Sequence, residues 1–261
     1  MPIVFYKNFG LSDADTGGST SSVGEPNVAN KSGSIFYSGN WYAARSFDAG
    51  LSWDAVSPFT TLPSVDGGFC CDQTLIYEQS RDIMVWILQY VEENGTNTLR
   101  VAISPGADLG DSSWHWWDFK PEGVNAAWAG EWFDYNHVAA SDNFLYVGTN
   151  VFNSSPEFFT RSIIFRFPLD ALADASTLNY SYYQTSDNFS LRCVQGATDT
   201  MYFASHKTTS QMRLFSWPES DSGVSSVDVD VTLWSAASPY SAPGPDGRNW
   251  LSRCDSRITG G

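Results

Sequence analysis

Three residues with side chains suited to acid–base or nucleophilic chemistry lie where apolar strand patterns begin. They are Asp72, Tyr135 and His137, which supply a carboxyl, a hydroxyl and an imidazole group. Carboxyl and imidazole groups transfer protons, and a hydroxyl group can attack carbon once a base has taken its proton. We therefore predict these three as catalytic residues. Glu25 and Asn27 occupy a similar position at the start of an earlier strand pattern.

Amide, aromatic and basic side chains recur near the same strand boundaries. Aromatic rings stack on sugar rings and amides hydrogen-bond to hydroxyl groups, so this composition is typical of a carbohydrate site. The predicted substrate-binding residues are Asn40, Trp41, Tyr42, Gln73, Gln89, Asn136, Gln195, His206 and Arg257. The alternative for each residue is that it lines a channel, holds ordered water and links neighbouring sheets.

The overall charge limits the classes of partner. The 261 residues include 14 Lys and Arg against 29 Asp and Glu, a formal net charge of −15. Such a surface repels phosphate backbones and anionic lipids, so we predict neither a nucleic-acid partner nor membrane insertion. The 11 Trp, 12 Tyr and 17 Phe can form a core and stack on sugars. Carbohydrate is the predicted partner, and the alternative is that the acidic residues only keep the protein soluble.

The apolar pattern predicts an all-β protein. Short apolar runs alternate with Gly, Ser, Asn, Asp and Pro clusters, and one helical turn is expected at residues 169–172. A polar start followed by aromatic or aliphatic strands recurs at intervals of 46 to 64 residues. The residues that mark these starts are Asn27, Gln73, His137, Gln195 and Arg257. This period suits a β-propeller of four-stranded antiparallel blades.

The repeats give a predicted domain organisation of about four full blades and the start of a fifth. The predicted blades are residues 24–66, 67–128, 129–186 and 187–247, followed by the partial blade 248–261. Residues 1–23 form an N-terminal segment that could supply an outer or closing strand. Four full blades and a partial fifth leave the ring incomplete in this chain, as an open arc with exposed strand edges. Because exposed edges favour aggregation, we expect the chain to be part of a longer propeller.

One short motif carries a family resemblance. Ser46-x-Asp48-x-Gly50-x-Ser52-Trp53 resembles, position for position, the Asp-box (BNR repeat) of sialidase-like propellers. A degraded copy spans residues 104–114, and the wider resemblance, to an uncharacterised bacterial and fungal branch, covers residues 24–261. The resemblance implies that Ser46, Asp48, Gly50 and Trp53 have a structural role between the third and fourth strands of a blade. That position is on the face away from the active centre.

The resemblance to sialidase-like propellers implies a carbohydrate-active domain, with a glycoside hydrolase acting on an extracellular glycan as the leading hypothesis. The alternatives are a non-catalytic glycan-binding or scaffold propeller, and a polysaccharide lyase with His137 and Tyr135 beside a carboxylate. Sialidases themselves use an Asp acid, a Tyr nucleophile helped by a Glu, and three arginines. This sequence departs from that pattern, because it has no Phe-Arg-Ile-Pro stretch and the predicted rim carries only Arg257 with Arg45 and Arg253.

Cysteine spacing gives no metal centre. Cys70, Cys71, Cys193 and Cys254 fit no zinc motif, and we predict structural cysteines, with a Cys70–Cys71 disulfide as a minor alternative. No cofactor is predicted, although Ca²⁺ could occupy the loops around Asp108 or Asp246. The first residues lack a signal-peptide pattern, so the chain is either cytosolic or trimmed at its N-terminus. We expect the full-length protein to be secreted.

Overall fold

The computed structural model describes residue 12, residues 14–16, residue 18, residues 25–235, residues 241–245, and residues 247 and 249. Most of the predicted N-terminal segment and most of the predicted fifth blade, including Arg257, lie outside the described residues. No helix within the described part of the chain is long and apolar enough to cross a membrane.

In the described part of the chain, sixteen strands form four sheets of four strands. Sheet 1 contains β1 (Asn27–Lys31), β2 (Ser34–Ser38), β3 (Ala43–Ser46) and β4 (Asp54–Val56). Sheet 2 contains β5 (Phe69–Glu78), β6 (Ile83–Tyr90), β7 (Leu99–Pro105) and β8 (His115–Phe119). Sheet 3 contains β9 (Glu131–Ala140), β10 (Phe144–Ser154), β11 (Glu157–Pro168) and β12 (Ser181–Thr185). Sheet 4 contains β13 (Arg192–Cys193), β14 (Thr200–Thr208), β15 (Gln211–Pro218) and β16 (Ser225–Asp230).

Each sheet is an antiparallel meander in which strands follow one another in chain order. The first strands of neighbouring sheets lie next to one another, β1 beside β5 and β9 beside both β5 and β13. This is a β-propeller-like arrangement with four blades, and the predicted fold class is confirmed. The helices are short: α1 (Pro121–Val124), α2 (Leu169–Ala173), which confirms the expected helical turn, and 3₁₀ turns at Ala14–Thr16 and Ala126–Trp128.

Three apolar cores separate the four sheets. Phe36 of sheet 1 packs with Trp86 and Leu88 of sheet 2 in the first core. Ile87 packs with residues of sheet 3 such as Phe165 in the second core, and Phe203 and Trp217 of sheet 4 pack against sheet 3 in the third. Alternate residues of β6 point into different cores, so the strand is buried along its whole length. This explains why its sequence, IMVWILQY, is almost continuously apolar.

The Ser46–Trp53 turn joins β3 to β4. The Ser46 hydroxyl donates to the carboxylate of Asp48 at 2.8 Å and accepts the Gly50 N–H at 2.8 Å. The Asp48 carboxylate also accepts the N–H and hydroxyl of Ser52, and these bonds lower the Asp48 pKa to about 2. Gly50 has a φ of 86°, which favours glycine, and the Trp53 ring packs 6.5 Å from that of Tyr37.

The degraded copy of this motif joins β7 to β8 in sheet 2. Here the Ser104 hydroxyl accepts the Leu109 N–H at 2.9 Å, as the Ser46 hydroxyl accepts the Gly50 N–H. The Arg45 guanidinium donates to the Leu109 carbonyl and to Asp111, linking sheet 1 to this turn of sheet 2. The Ala49 N–H donates to the Gly33 carbonyl, so the Ser46–Trp53 turn lies at the β1–β2 turn and away from the start of β1.

Candidate functional site

A cavity of about 680 Å³ follows the first strands of the four sheets. It brings together six of the predicted site residues, from β5, β9 and the segment after β13. These six are Asp72, Gln73, Tyr135, Asn136, His137 and Gln195. Glu25, Asn27 and Arg192 line the same cavity. Arg192 is not among the predicted site residues, although it lies only three residues before Gln195, which marks the start of that strand pattern in the sequence.

Two β-bulges place the acidic and hydroxyl groups of this cavity. In β5, Cys70, Cys71 and Asp72 lie between the ladder pairs Phe69–Tyr90 and Gln73–Leu88, where β6 has only Gln89. A bulge interrupts the alternation of a strand and changes the direction of its side chains. Asp72 is therefore positioned by the irregular part of β5 and not by its regular ladder.

The second bulge, in β9, places Tyr135 and Asn136 opposite Thr149 alone. Tyr135 has a φ of 59°, an uncommon conformation for a bulky residue, and its side chain is 36% exposed. Strained backbone held by the surrounding structure occurs often at functional sites. Tyr135 is thus a candidate for a functional role on geometric grounds as well as chemical ones.

A disulfide between adjacent residues stabilises the β5 bulge. Cys70 and Cys71 are joined, which confirms the minor alternative from the sequence, and the Trp41 indole donates to the Cys70 carbonyl at 3.0 Å. Cys193 is a buried free thiol, and burial raises its pKa, so it remains protonated. The disulfide is next to Asp72 in sequence and restricts the backbone from which that side chain extends.

Asp72 forms a carboxyl pair with Glu25. Burial, then the charge of Glu25 and a hydrogen bond to it, together raise the pKa of Asp72 to about 7 against the opposing effect of Arg192. Two carboxylates that share a site cannot both ionise easily, so one of them holds a proton. Asp72 therefore carries a proton in a large fraction of molecules near neutral pH.

His137 has a different environment. Burial, followed by the positive charge of Arg192, lowers its pKa to about 3, so the imidazole is neutral. Its Nε2 accepts the Cys193 N–H at 3.3 Å and thereby links β9 to β13. The ring lies flat against Gly148, its ladder partner on β10, where a Cβ atom would come within 1.9 Å of His137 Cε1. These contacts favour a positioning role for His137.

The amide side chains of the cavity form bonds between strands. Gln73 donates to the carbonyls of Gly39 at 2.6 Å and Tyr42 at 2.9 Å and accepts the Trp86 indole N–H at 2.8 Å. Asn136 accepts the Thr74 hydroxyl at 2.8 Å, so β5 and β9 are linked inside the cavity. Gln195 donates to the Val138 carbonyl at 2.8 Å, and Gln89, outside the cavity lining, donates to Asp134 at 2.9 Å.

Several predicted substrate-binding residues lie elsewhere. Trp41 and Tyr42 line a separate cavity of about 200 Å³ beside Thr16 and Phe59. Asn40 is buried, and the ring of His206 on β14 packs 4.8 Å from that of Trp234, which lies after β16. The ends of the second strands therefore do not share the main cavity with the first strands.

No metal centre is formed by the part of the chain that the structure describes. Those residues contain no group of three or more His, Cys, Asp or Glu side chains placed to hold an ion. Asp108 belongs to the described residues and is not in such a group, while Asp246 lies outside them. The suggested Ca²⁺ site therefore gains no support from Asp108.

Comparisons with known proteins give a distant likeness in fold. No protein-family model matches the sequence, and no curated protein matches it. Two similar solved structures are an ACO/RPE65 chimera and cobalt-substituted Synechocystis ACO, each with a TM-score of 0.43 and 10% sequence identity. Each match covers 78% of this chain and 48% of the other, so this chain spans about half their length. The likeness concerns the propeller-type fold alone.

Proposed function

We propose that the protein is a sialidase-like propeller that hydrolyses glycosidic bonds in the cavity between its first strands. The observation that carries this proposal is the pair of carboxyl groups, Asp72 beside Glu25, in a cavity of about 680 Å³, where burial and the neighbouring carboxyl raise the pKa of Asp72 to about 7. A glycosidase needs a carboxylic acid that still holds its proton at working pH. Asp72 meets this requirement because burial and the neighbouring carboxylate both raise its pKa.

The second catalytic role belongs to Tyr135 in this proposal. Carboxyl pairs in most glycosidases are about 5–5.5 Å apart in retaining enzymes and about 6.5–9.5 Å apart in inverting ones. Asp72 and Glu25 share a hydrogen bond and are closer than either, so they do not form such a pair. A Tyr nucleophile is a known exception to the two-carboxylate rule, and Tyr135 lines the same cavity.

The proposed reaction has two steps, formation of a sugar–Tyr135 intermediate and its hydrolysis. Asp72 donates its proton to the glycosidic oxygen as the bond to the anomeric carbon breaks. The Tyr135 oxygen bonds to that carbon, and its proton passes to Glu25. Water then releases the sugar from Tyr135, and the protons return to Asp72 and Tyr135.

The environment of His137 favours hydrolysis over the alternative lyase reaction. A lyase needs a base that removes a proton from the sugar ring, and His137 was the sequence candidate for it. An imidazole with a pKa of about 3 that already accepts the Cys193 N–H is a poor base. The Ser46–Trp53 turn adds support for the sialidase-like family, because it joins the third and fourth strands of a sheet, as the resemblance implies, and is closed by hydrogen bonds to Asp48.

Turnover of a panel of neutral, sialylated and uronate-containing oligosaccharides tests this proposal. We expect Asp72→Asn and Tyr135→Phe to lower kcat by about 100-fold or more, as for loss of an acid or a nucleophile. Asp54→Asn, a change of the same type at an exposed residue of β4, is the matched control and should leave kcat unchanged. Binding of an oligosaccharide without turnover by the native protein would support the non-catalytic alternative and overturn the hydrolase.

A further inference from the structure

Five aromatic side chains form a continuous cluster beside the cavity. Phe152 on β10 lies at its centre, with ring centroids 5.3 Å from Trp132, 6.5 Å from Tyr135, 6.1 Å from Phe159 and 6.4 Å from Phe189. Phe159 and Phe189 are themselves 5.1 Å apart. We call these five residues the aromatic cluster. Tyr135 also lines the main cavity, so the cluster is contiguous with the candidate site.

The elements that carry the cluster extend past the rest of sheet 3. β10 and β11 have 11 and 12 residues, whereas β12 has five and pairs only with the Ser162–Arg166 part of β11. Trp132, Phe152 and Phe159 are lateral neighbours on β9, β10 and β11 in this extended part. The extension therefore presents three rings in a row next to the bulge of Tyr135.

Partial exposure separates the aromatic cluster from the aromatic residues of the cores. Phe133, Phe165 and Phe167 are fully buried, while Tyr135 is 36% exposed and the other members of the cluster are half-buried. Contiguous, partly exposed aromatic surface often marks a binding site.

Polar atoms next to the aromatic cluster lack protein partners. The buried atoms Asn150 Nδ2, Asn188 Oδ1 and Ser190 Oγ have no hydrogen-bond partner in the protein. Asn188 and Ser190 flank Phe189 in sequence, and Asn150 is two residues before Phe152 on β10. Unsatisfied buried polar atoms are costly, and an enclosed water molecule can satisfy them. Because these three atoms are fully buried, an enclosed water is the partner that suits them.

The charges around the cluster favour a neutral occupant. Arg161 at the edge of the extension is paired with Glu131, and Lys and Arg are outnumbered by Asp and Glu in the whole chain. The net charge of −15 repels sialic acids and uronates before they reach the cavity. Aromatic rings, in contrast, stack on the C–H faces of uncharged pyranose rings.

From these observations we infer that the aromatic cluster binds further sugar units of a neutral oligosaccharide whose end lies in the Asp72 cavity. This inference rests on the proposed function, because it specifies which class of oligosaccharide, and of what length, the proposed active site accepts. The cavity holds the glycosidic bond that is cleaved, and Trp132, Phe152, Phe159 and Phe189 hold the units that follow it. The cluster determines affinity for long chains and takes no part in bond cleavage.

Calorimetric titration with cellobiose, cellopentaose, mannopentaose and chitopentaose tests the inference, with Asp72→Asn used beside the native protein to prevent turnover. We expect a pentasaccharide to bind more tightly than the disaccharide. Phe159→Ala should weaken pentasaccharide binding by about 3- to 10-fold, the effect of one ring contact, and leave disaccharide binding unchanged. Phe158→Ala is the matched control, because Phe158 is on the same strand, 52% exposed and on the opposite face. Phe159→Leu keeps most of the side-chain volume and removes the aromatic ring. It therefore distinguishes a loss of ring stacking on the sugar from a loss of folded protein.

The possible failures are distinguishable. Cluster-dependent binding of a pentasaccharide without turnover would overturn the proposed hydrolase and support the inference. Turnover with equal affinities for short and long chains, unchanged by Phe159→Ala and Phe159→Leu, would overturn the inference and leave the hydrolase. Tighter binding of octyl glucoside than of methyl glucoside, with no gain from a longer sugar chain, would identify an apolar site and also overturn the inference.

Discussion

At the scale of single residues, the chemistry of the site depends on Asp72 and Glu25. Their interaction joins residues 47 positions apart, and it keeps a carboxyl protonated at a pH where a free aspartic acid is ionised. Arg192 reduces this effect without cancelling it. The acid strength of Asp72 is therefore set by burial and by two neighbouring side chains, Glu25 and Arg192, and each side chain can be changed separately.

The raised pKa of Asp72 predicts a pH-dependent stability difference between the native protein and Asp72→Asn. The pKa of Asp72 is higher in the folded state than in the unfolded state. Its stabilising contribution to the free energy of unfolding is therefore complete below about pH 4 and decreases as pH rises to about 7. Relative to Asp72→Asn, we expect the native free energy of unfolding to fall by on the order of 1–3 kcal/mol across that range. Urea unfolding at several pH values measures the difference. Asp54→Asn should show no such trend, and a constant difference for Asp72→Asn would contradict the pKa shift.

Glu25→Gln tests the source of the shift. Removing the neighbouring negative charge lowers the pKa of Asp72, because Glu25 raises it. If Asp72 acts as the acid, kcat/KM falls as pH rises through its pKa, and this descending limb should move to lower pH in Glu25→Gln. Glu25 also accepts the Tyr135 proton in the proposed reaction, so Glu25→Gln lowers the rate itself. The pH–rate profile is therefore measured on the residual activity, with the exposed Glu157→Gln as control. An unmoved limb would mean that Glu25 does not control the acid.

At the scale of elements, the bulges explain what sequence patterns could and could not predict. Short apolar runs between turn residues were enough to predict an all-β protein, and their recurrence every 46 to 64 residues was enough to predict a β-propeller. The Cys70–Cys71 disulfide and the helical turn of α2 were also accessible from local sequence. The interaction of Arg192 with Asp72 could not be predicted from local sequence, because it depends on the packing of β13 beside β9.

Bulges also limit the prediction of the site itself. A bulge breaks the two-residue period, so the direction of Asp72 or Tyr135 cannot be read from its position in a strand. Gln73, predicted to bind substrate, follows the bulge of β5 and bonds to Gly39, Tyr42 and Trp86. Local composition identified the region of the cavity, and long-range pairing decided which amides were already occupied.

Gly148→Ala is predicted to destabilise the link between sheets 3 and 4. The new Cβ would overlap the imidazole of His137, which cannot move freely while its Nε2 accepts the Cys193 N–H. We expect a loss of about 1–3 kcal/mol in the free energy of unfolding, the usual cost of overpacking. Chemical denaturation measures it. Gly123→Ala is the control, since a Cβ there meets no atom within 4 Å, and equal stabilities for both variants would contradict the predicted clash.

At the scale of the whole molecule, three cores share two central sheets. Sheet 2 contributes to the first and second cores and sheet 3 to the second and third. Adjacent cores are therefore coupled through strands such as β6, whose two faces belong to different cores. The face of sheet 4 away from sheet 3 exposes Tyr202, Leu214, Val227 and Val229.

This coupling predicts a single unfolding transition. Ile87 and Leu88 are adjacent on β6, fully buried, and in different cores. We expect Ile87→Ala and Leu88→Ala each to lower the free energy of unfolding by about 2–5 kcal/mol. Circular dichroism and tryptophan fluorescence should report the same midpoint for each variant. Leu214→Ala, on the exposed face of sheet 4, should cost less than about 1 kcal/mol. Separate midpoints for the two probes would contradict the coupling.

The double burial of β6 also has a consequence for how the sequence can change over evolutionary time. A substitution in β6 must suit two cores at once, whereas all six residues of β16 are exposed. Tolerance to substitution should therefore increase from sheets 2 and 3, which each contribute to two cores, towards sheet 4. A library of all single substitutions, selected for folded protein, would show the fewest accepted residues at β6 and the most at β16.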